Sequence, residues 1–182
     1  MREIARKADV SVGALYLHFK TKEDILANLT ARFIVRHIGL ITDFISGTTE
    51  GAARLQKLLE YFRQMTADPI LAIFPNMPLC SYNKFNSIDS ATLEAVNSAS
   101  DKLITLTETI FIAGRDDGSL IVEHDPKILA ATLIRSVMAL FQENYAPDFD
   151  LVFKRNIHTN YTFSDIFDVF TAVFLNGVLV KK

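Results

Sequence analysis

Through most of this sequence apolar residues return at every third or fourth position, and nowhere do they alternate with polar ones for the length of a strand. Side chains three and four apart share a helix face, whereas residues two apart share a strand face, so the pattern admits helices and excludes a sheet protein. The fold class it predicts is all-α. Pro and Gly, 5 and 7 in 182 residues, are too scarce for a disordered or fibrous chain, and an apolar share of 49% is enough for a buried core.

The elements follow from local signals. A helix of about two turns covers Arg2 to Ala8, with Ile4, Ala5 and Ala8 on one face. A second follows Ser11, whose hydroxyl can cap it, and turns Leu15 and Phe19 inward. Neither is long enough to be stable alone. Thr21, with Asp24 three residues later, opens a long helix running to about Ser46, along which Ile25, Leu29, Phe33, Arg36 and Leu40 are spaced. After a break at Gly47 to Gly51 comes a helix carrying Leu55, Leu58, Leu59, Phe62 and Met65. Pro75 and Pro78 then interrupt an apolar segment, predicting one short helix and an irregular turn within 70–85. A long helix from about Ser90 stops at Gly118. Asp125-Pro126 starts another, reaching about Asn144 and apolar all round, and Ser164 caps a last one with Ile166, Phe167, Phe170, Val173, Phe174, Gly177 and Val178 as its apolar stripe.

The overall charge is near neutral at −2, but Met1 to Lys22 carry a net +3 from Arg2, Arg6, Lys7, Lys20 and Lys22, while Thr48 to Lys182 carry −4. A small basic end on an acidic body suits local contact with a polyanion rather than a uniform coating of nucleic acid. A single cysteine, Cys80, forms neither an internal disulfide nor a zinc pair. No run of about 18 uninterrupted apolar residues occurs, and the N-terminus has no apolar signal core, so the expectation is a cytoplasmic chain with no membrane partner. His18, His37, His124 and His158 are dispersed, and no HExxH, GxSxG or phosphate-cradling glycine loop is present. Asp116-Asp117 reads as a solvated turn. The expectation is therefore no enzyme, no metal and no cofactor.

Two short helices joined by a tight turn match the helix-turn-helix pattern, whose second helix offers its N-terminal residues to base edges. Val12, Gly13, Tyr16 and Leu17 lie away from the inward Leu15 and Phe19. Gly13 permits close approach, the Tyr16 hydroxyl can reach a phosphate, and His18, Lys20 and Lys22 flank the same backbone. Arg2 to Leu26, REIARKADVSVGALYLHFKTKEDIL, resembles the helix-turn-helix signature of the TetR/AcrR family of bacterial transcriptional regulators. The matching positions are Ile4-Ala5, Ala8, Val10-Ser11, Gly13, Leu15-Tyr16, His18-Phe19-Lys20 and Lys22-Glu23. The rest of the chain is similar to the family only in plan.

That resemblance implies a DNA-binding domain with its connecting helix over 1–46 and a ligand-binding and dimerisation domain over 47–182. It implies that Arg2 contacts DNA, that Val12, Gly13, Ala14 and Leu17 face bases, and that Tyr16, His18 and Lys22 touch phosphates. Val12 and Ala14 depart from the polar residues common in the family, leaving thymine methyls as the contacts such side chains can make. Family members carry some twenty residues before the position of Met1, forming a helix that covers Ile4, Ala5, Leu15 and Phe19. The expectation is an N-terminally incomplete DNA-binding domain, by truncation of the chain as given or by a real loss.

The resemblance further implies a homodimer paired through the last two helices, at Ile134, Met138, Phe141, Ile166, Phe167, Phe170 and Phe174, bound to double-stranded DNA at a near-palindromic operator. It also implies an effector pocket, for which the candidates are Tyr61, Phe62, Met65, Phe74, Met77, Cys80, Tyr82, Phe85, Phe111 and Phe141. The functional expectation is a repressor relieved by a small apolar or aromatic ligand. The alternative is a dimeric helical ligand-binding or interaction module with impaired DNA binding.

Overall fold

The computed structural model describes residues 1–65, 88–145 and 162–180, and the side chains of all of these except 142–145. The expected helix and turn within 70–85 and the loop before the last helix lie outside the described residues, save for its end at 162–163. Among the described residues there are seven helices: α1 Arg2–Lys7, α2 Val12–His18, α3 Lys22–Ile45, α4 Gly51–Met65, α5 Ser90–Asp116, α6 Pro126–Tyr145 and α7 Phe163–Val178. The fold is all-α, and its one β-type contact among those residues is an isolated bridge between Leu120 and Leu179. The chain divides into two compact units, Met1–Arg36 with Asn76–Asp101 and His37–Pro75 with Lys102–Lys182, so α3 and α5 each contribute residues to both.

Helix ends follow the short-range chemistry. The Ser11 hydroxyl accepts the Ala14 N–H at 3.0 Å. Thr21 and Asp24 exchange backbone and side-chain bonds, each 3.0 Å, in a capping box that starts α3. Asp125 Oδ1 accepts from Lys127 and Ile128 at the start of α6. Gly118 ends α5 with φ of +72°. The start of α7 differs from expectation: Thr162, not Ser164, is its cap, because Asp165 stands three residues after Thr162 and completes a capping box.

In the first unit α3 packs through small side chains. Ala27, Ala31, Ile88, Val96 and Ala99 form its buried cluster, with Ile34 and Leu93 against it. This corrects the face expected for α3: Leu29 and Leu40 are exposed, and Ala27, Thr30, Ala31, His37, Ile41 and Ile45 are buried instead. The buried Thr30 hydroxyl donates to the Leu26 carbonyl at 2.8 Å. By length and composition alone α3 would suffice to cross a membrane, although it holds no uninterrupted apolar run of about 18 residues. Its sequence includes Arg32, Arg36 and His37, and its alanine face packs against Ile88, Val96 and Ala99.

The second unit is held by rings. Phe62 meets Phe141 edge-on at 6.4 Å, Phe141 stacks on Phe167 at 6.1 Å, and Phe167, Phe170, Phe174 and Phe111 continue the chain at 6.2, 6.0 and 6.3 Å. Each such pair adds about 0.5–1.5 kcal/mol beyond the area it buries. Leu55, Leu58, Leu59, Leu133 and Val137 complete the core. α6 is not buried all round: Ile128 is 64% exposed, and Thr132, Arg135 and Ala139 continue its exposed side. Likewise Val173 and Gly177 of the apolar stripe of α7 are exposed.

A junction ties α4, the end of α5 and the end of α7 together. Asp117 Oδ2 accepts the Gly51 N–H at 2.7 Å, and the Ser119 hydroxyl accepts the Ala52 N–H at 2.9 Å, so the turn after α5 caps α4 from 66 and 67 residues away. A Cβ on Gly51 would stand 2.2 Å from the backbone of Gly114, which leaves room there for hydrogen alone. Asp117 is thus more than a solvated turn residue.

Candidate nucleic-acid interface

The first unit builds a small surface from α1, α2 and the start of α3. Ala5 and Leu15 are buried between the two short helices, while Ile4 and Phe19 are partly covered and Ala8 is exposed. The turn joining them needs a left-handed residue, and Asp9 supplies it with φ of +53°. With Leu15 turned in, Val12, Gly13, Tyr16 and Leu17 are all exposed on the other side of α2. Val12 and Tyr16 are four apart, as are Gly13 and Leu17, so they form two adjacent rows. Ala14 is half-buried and sits nearer the Leu15 side than its expected base-facing role requires.

The same short segment exposes several cations. Arg2, Arg6, Lys7, Lys20 and Lys22 are exposed, as is His18. Lys7 lies 3.9 Å from Glu3 and Lys20 lies 3.5 Å from Asp89, whereas no ion pair is found for Arg2, Arg6 or Lys22 among the described residues. The sequence reading left Arg6 out of the DNA contacts, although its charge and place on α1 beside Arg2 could have suggested it.

Asp24 carries the largest feature that sequence reasoning missed. Only 3% exposed, its carboxylate accepts the Thr21 N–H through Oδ2 and the Asp89 N–H through Oδ1, the latter at 2.7 Å. Burial pushes its pKa up, but the bonds from Asp89 and Thr21 together outweigh burial and hold it below the ordinary aspartate value. Asn28 adds a second link by donating to Thr92 at 3.1 Å. The starts of α3 and α5 are therefore clasped through one buried negative charge.

Of the effector-pocket candidates, Phe62, Met65, Phe111 and Phe141 are buried in the core of the second unit, and three of them belong to its ring chain. Tyr61 is half-buried, with its hydroxyl 2.5 Å from His37 Nδ1. Phe74, Met77, Cys80, Tyr82 and Phe85 lie outside the described residues. Of the dimer candidates, Ile134, Phe141 and Phe167 are interior, because the protomer's own rings and aliphatic side chains cover them. Met138, Ile166, Phe170 and Phe174 are half-buried, and the freely exposed apolar residues of the same helices are Ile128, Val169 and Val173.

Residues 1–29 match the sequence profile described as bacterial regulatory proteins, tetR family. No curated protein matches the chain. Among solved structures, a fatty acid degradation regulator FadR from Bacillus halodurans is similar with a TM-score of 0.70 at 20% identity, covering 97% of this chain and 87% of that one. A TetR-family transcriptional regulator from Agrobacterium tumefaciens gives 0.69 at 13% identity, over 98% and 85% of the two chains. FadR from Bacillus subtilis, in complex with stearoyl-CoA, gives 0.65 at 19% identity, over 96% and 86%. The two short helices with the outward-facing second one form a helix-turn-helix, carried on an all-helical chain. The likeness to the tetR regulators is thus one of sequence over residues 1–29 and of fold over nearly the whole chain.

Proposed function

We propose that this protein is a cytoplasmic, homodimeric repressor that acts by binding rather than catalysis and leaves its operator when an apolar small molecule enters the second unit. The observation that carries the DNA half is the exposed α2 face within the segment matching the family profile, a segment that also exposes Arg2, Arg6, Lys7, Lys20 and Lys22. Arg2, Tyr16, His18 and Lys22 hold phosphates, and Val12, Gly13 and Leu17 face the bases. In this reading residues 1–46 form the DNA-binding domain with its connector, and 47–182 bind the effector and the partner.

Two copies pair through α6 and α7, with the exposed Ile128, Val169 and Val173 adding apolar area to the half-buried Met138, Ile166, Phe170 and Phe174. The two reading helices then address major grooves about 34–36 Å apart on a near-palindrome. The stearoyl-CoA named with the similar Bacillus subtilis FadR supports an effector with a long apolar part. Such a ligand shifts α3 between two orientations and weakens DNA binding by as much as it prefers the unbound one. Band-shift titration of the purified dimer on DNA flanking its own gene, at two salt concentrations, tests the proposal. Salt-sensitive binding is expected. Absence of any such binding would sink the repressor reading.

A further inference from the structure

The face that α2 presents is chemically one-sided. Leu17 is 84% exposed, Tyr16 51% and Val12 37%, and α2 carries no acidic residue and no basic one before His18 in its last turn. Ser11, at the entrance to the helix, has its hydroxyl oxygen engaged by the Ala14 N–H. A major-groove edge presents donors, acceptors and a single apolar group, the C5 methyl of thymine. Val12 and Leu17 can recognise only the last of these.

Gly13 bears on what sits there. A Cβ at this position would meet nothing closer than the Ser11 oxygen at 3.9 Å, and its φ is not left-handed, so neither space nor backbone within the protein requires glycine. Its bareness serves a surface that comes down on α2 from outside. The exposed Arg2 and Arg6 of α1 and Lys22 at the start of α3, in the same short segment, favour a polyanion over an apolar helix or a second copy of the same cationic face.

We infer that α2 reads its operator through thymine methyl groups, with Leu17 as the specificity-determining side chain, Val12 supporting it, and the polar and cationic groups confined to phosphates. This rests on the DNA-binding reading above. Burying one methyl against Leu17 is worth about a fourfold change in affinity.

The test starts from a duplex selected out of random DNA by the full-length chain. Each thymine is then replaced by deoxyuridine, which removes only the C5 methyl. At least one position per half-site is expected to lose about fourfold in affinity. At that position a T·A to C·G change is expected to weaken binding, and 5-methylcytosine to restore part of it. Leu17→Ala should weaken binding to the thymine operator and abolish the uracil effect. Because Leu17 is exposed, the variant's melting curve should be unchanged. Gly13→Ala should melt no lower than the wild type, since alanine is the better helix former and fits the space, and yet lose affinity. A selected operator indifferent to uracil at every thymine would overturn methyl readout and leave DNA binding standing. Failure of the wild-type chain to select any duplex would overturn both.

Discussion

Two carboxylates, Asp24 and Asp117, perform the same operation in different surroundings. Each accepts a backbone N–H at the start of a helix that is remote in sequence, Asp89 before α5 in one case and Gly51 of α4 in the other, both at 2.7 Å. Asp24 is buried and Asp117 is exposed. The hydrogen bonds are alike, and both lie in partly buried sites; the carboxylates are not alike. Removing the buried Asp24 leaves a place closed to water and its amides without an acceptor, whereas the place of the exposed Asp117 is open to water. Geometry alone does not say what a clasp contributes.

The comparison is broken most forcefully from the other side of the Asp117 junction. Gly51→Ala drives a Cβ into the Gly114 backbone and should cost about 3 kcal/mol, read as a lowered melting temperature. Asp24→Ala should follow at about 2–3 kcal/mol by denaturant titration, with DNA affinity falling as well because the start of α3 is released. Asp24→Asn should recover part of both losses. Asp117→Ala should cost less than Asp24→Ala and leave DNA affinity unchanged. Equal losses in the two alanine variants would mean that burial is not what separates the clasps.

Acid provides a sharper cut. Bonds from Ser119 and Gly51 hold Asp117 below its ordinary value, and those from Asp89 and Thr21 do the same for Asp24 against its burial. A carboxylate depressed in the folded state stabilises fully above the unfolded value of about 4, and that contribution disappears as pH falls through the lowered value. Stability should therefore decline below about pH 4, less steeply in Asp24→Ala, as followed by melting at successive pH values. The smallest effect belongs to Arg63→Ala. Its pair with Asp168, at 2.7 Å between α4 and α7, is about half exposed, so the change in melting temperature should be slight and should vanish in high salt.

What could be read from the sequence, and what could not, divides by range. Ser11, the Thr21–Asp24 box, Asp125 and Gly118 were all legible because a cap is decided within three or four residues. The register of REIARKADVSVGALYLHFK was legible for the same reason, and with it the exposed rows of α2. The buried face of α3 was misread because large residues such as Leu29 and Leu40 draw attention, while close helix packing uses Ala27 and Ala31. At α7 two hydroxyl residues competed for the cap, and the acid at Asp165 decided between them. The interior placing of Ile134, Phe141 and Phe167 depends on rings from other helices, which no local spacing encodes. The bonds from Asp24 to Asp89 and from Asp117 to Gly51, 65 and 66 residues apart, are likewise invisible to any local rule.

The reach of the Asp24 bond sets a schedule for making the molecule. A ribosome adding about 5–20 residues per second delivers Asp89 roughly 3–13 s after Asp24, for the 65 residues between them. During that interval α1, α2 and the start of α3 have been made, but the Asp24 carboxylate lacks its Asp89 partner. The first helices are thus fixed to the rest of their unit only once the start of α5 has followed them.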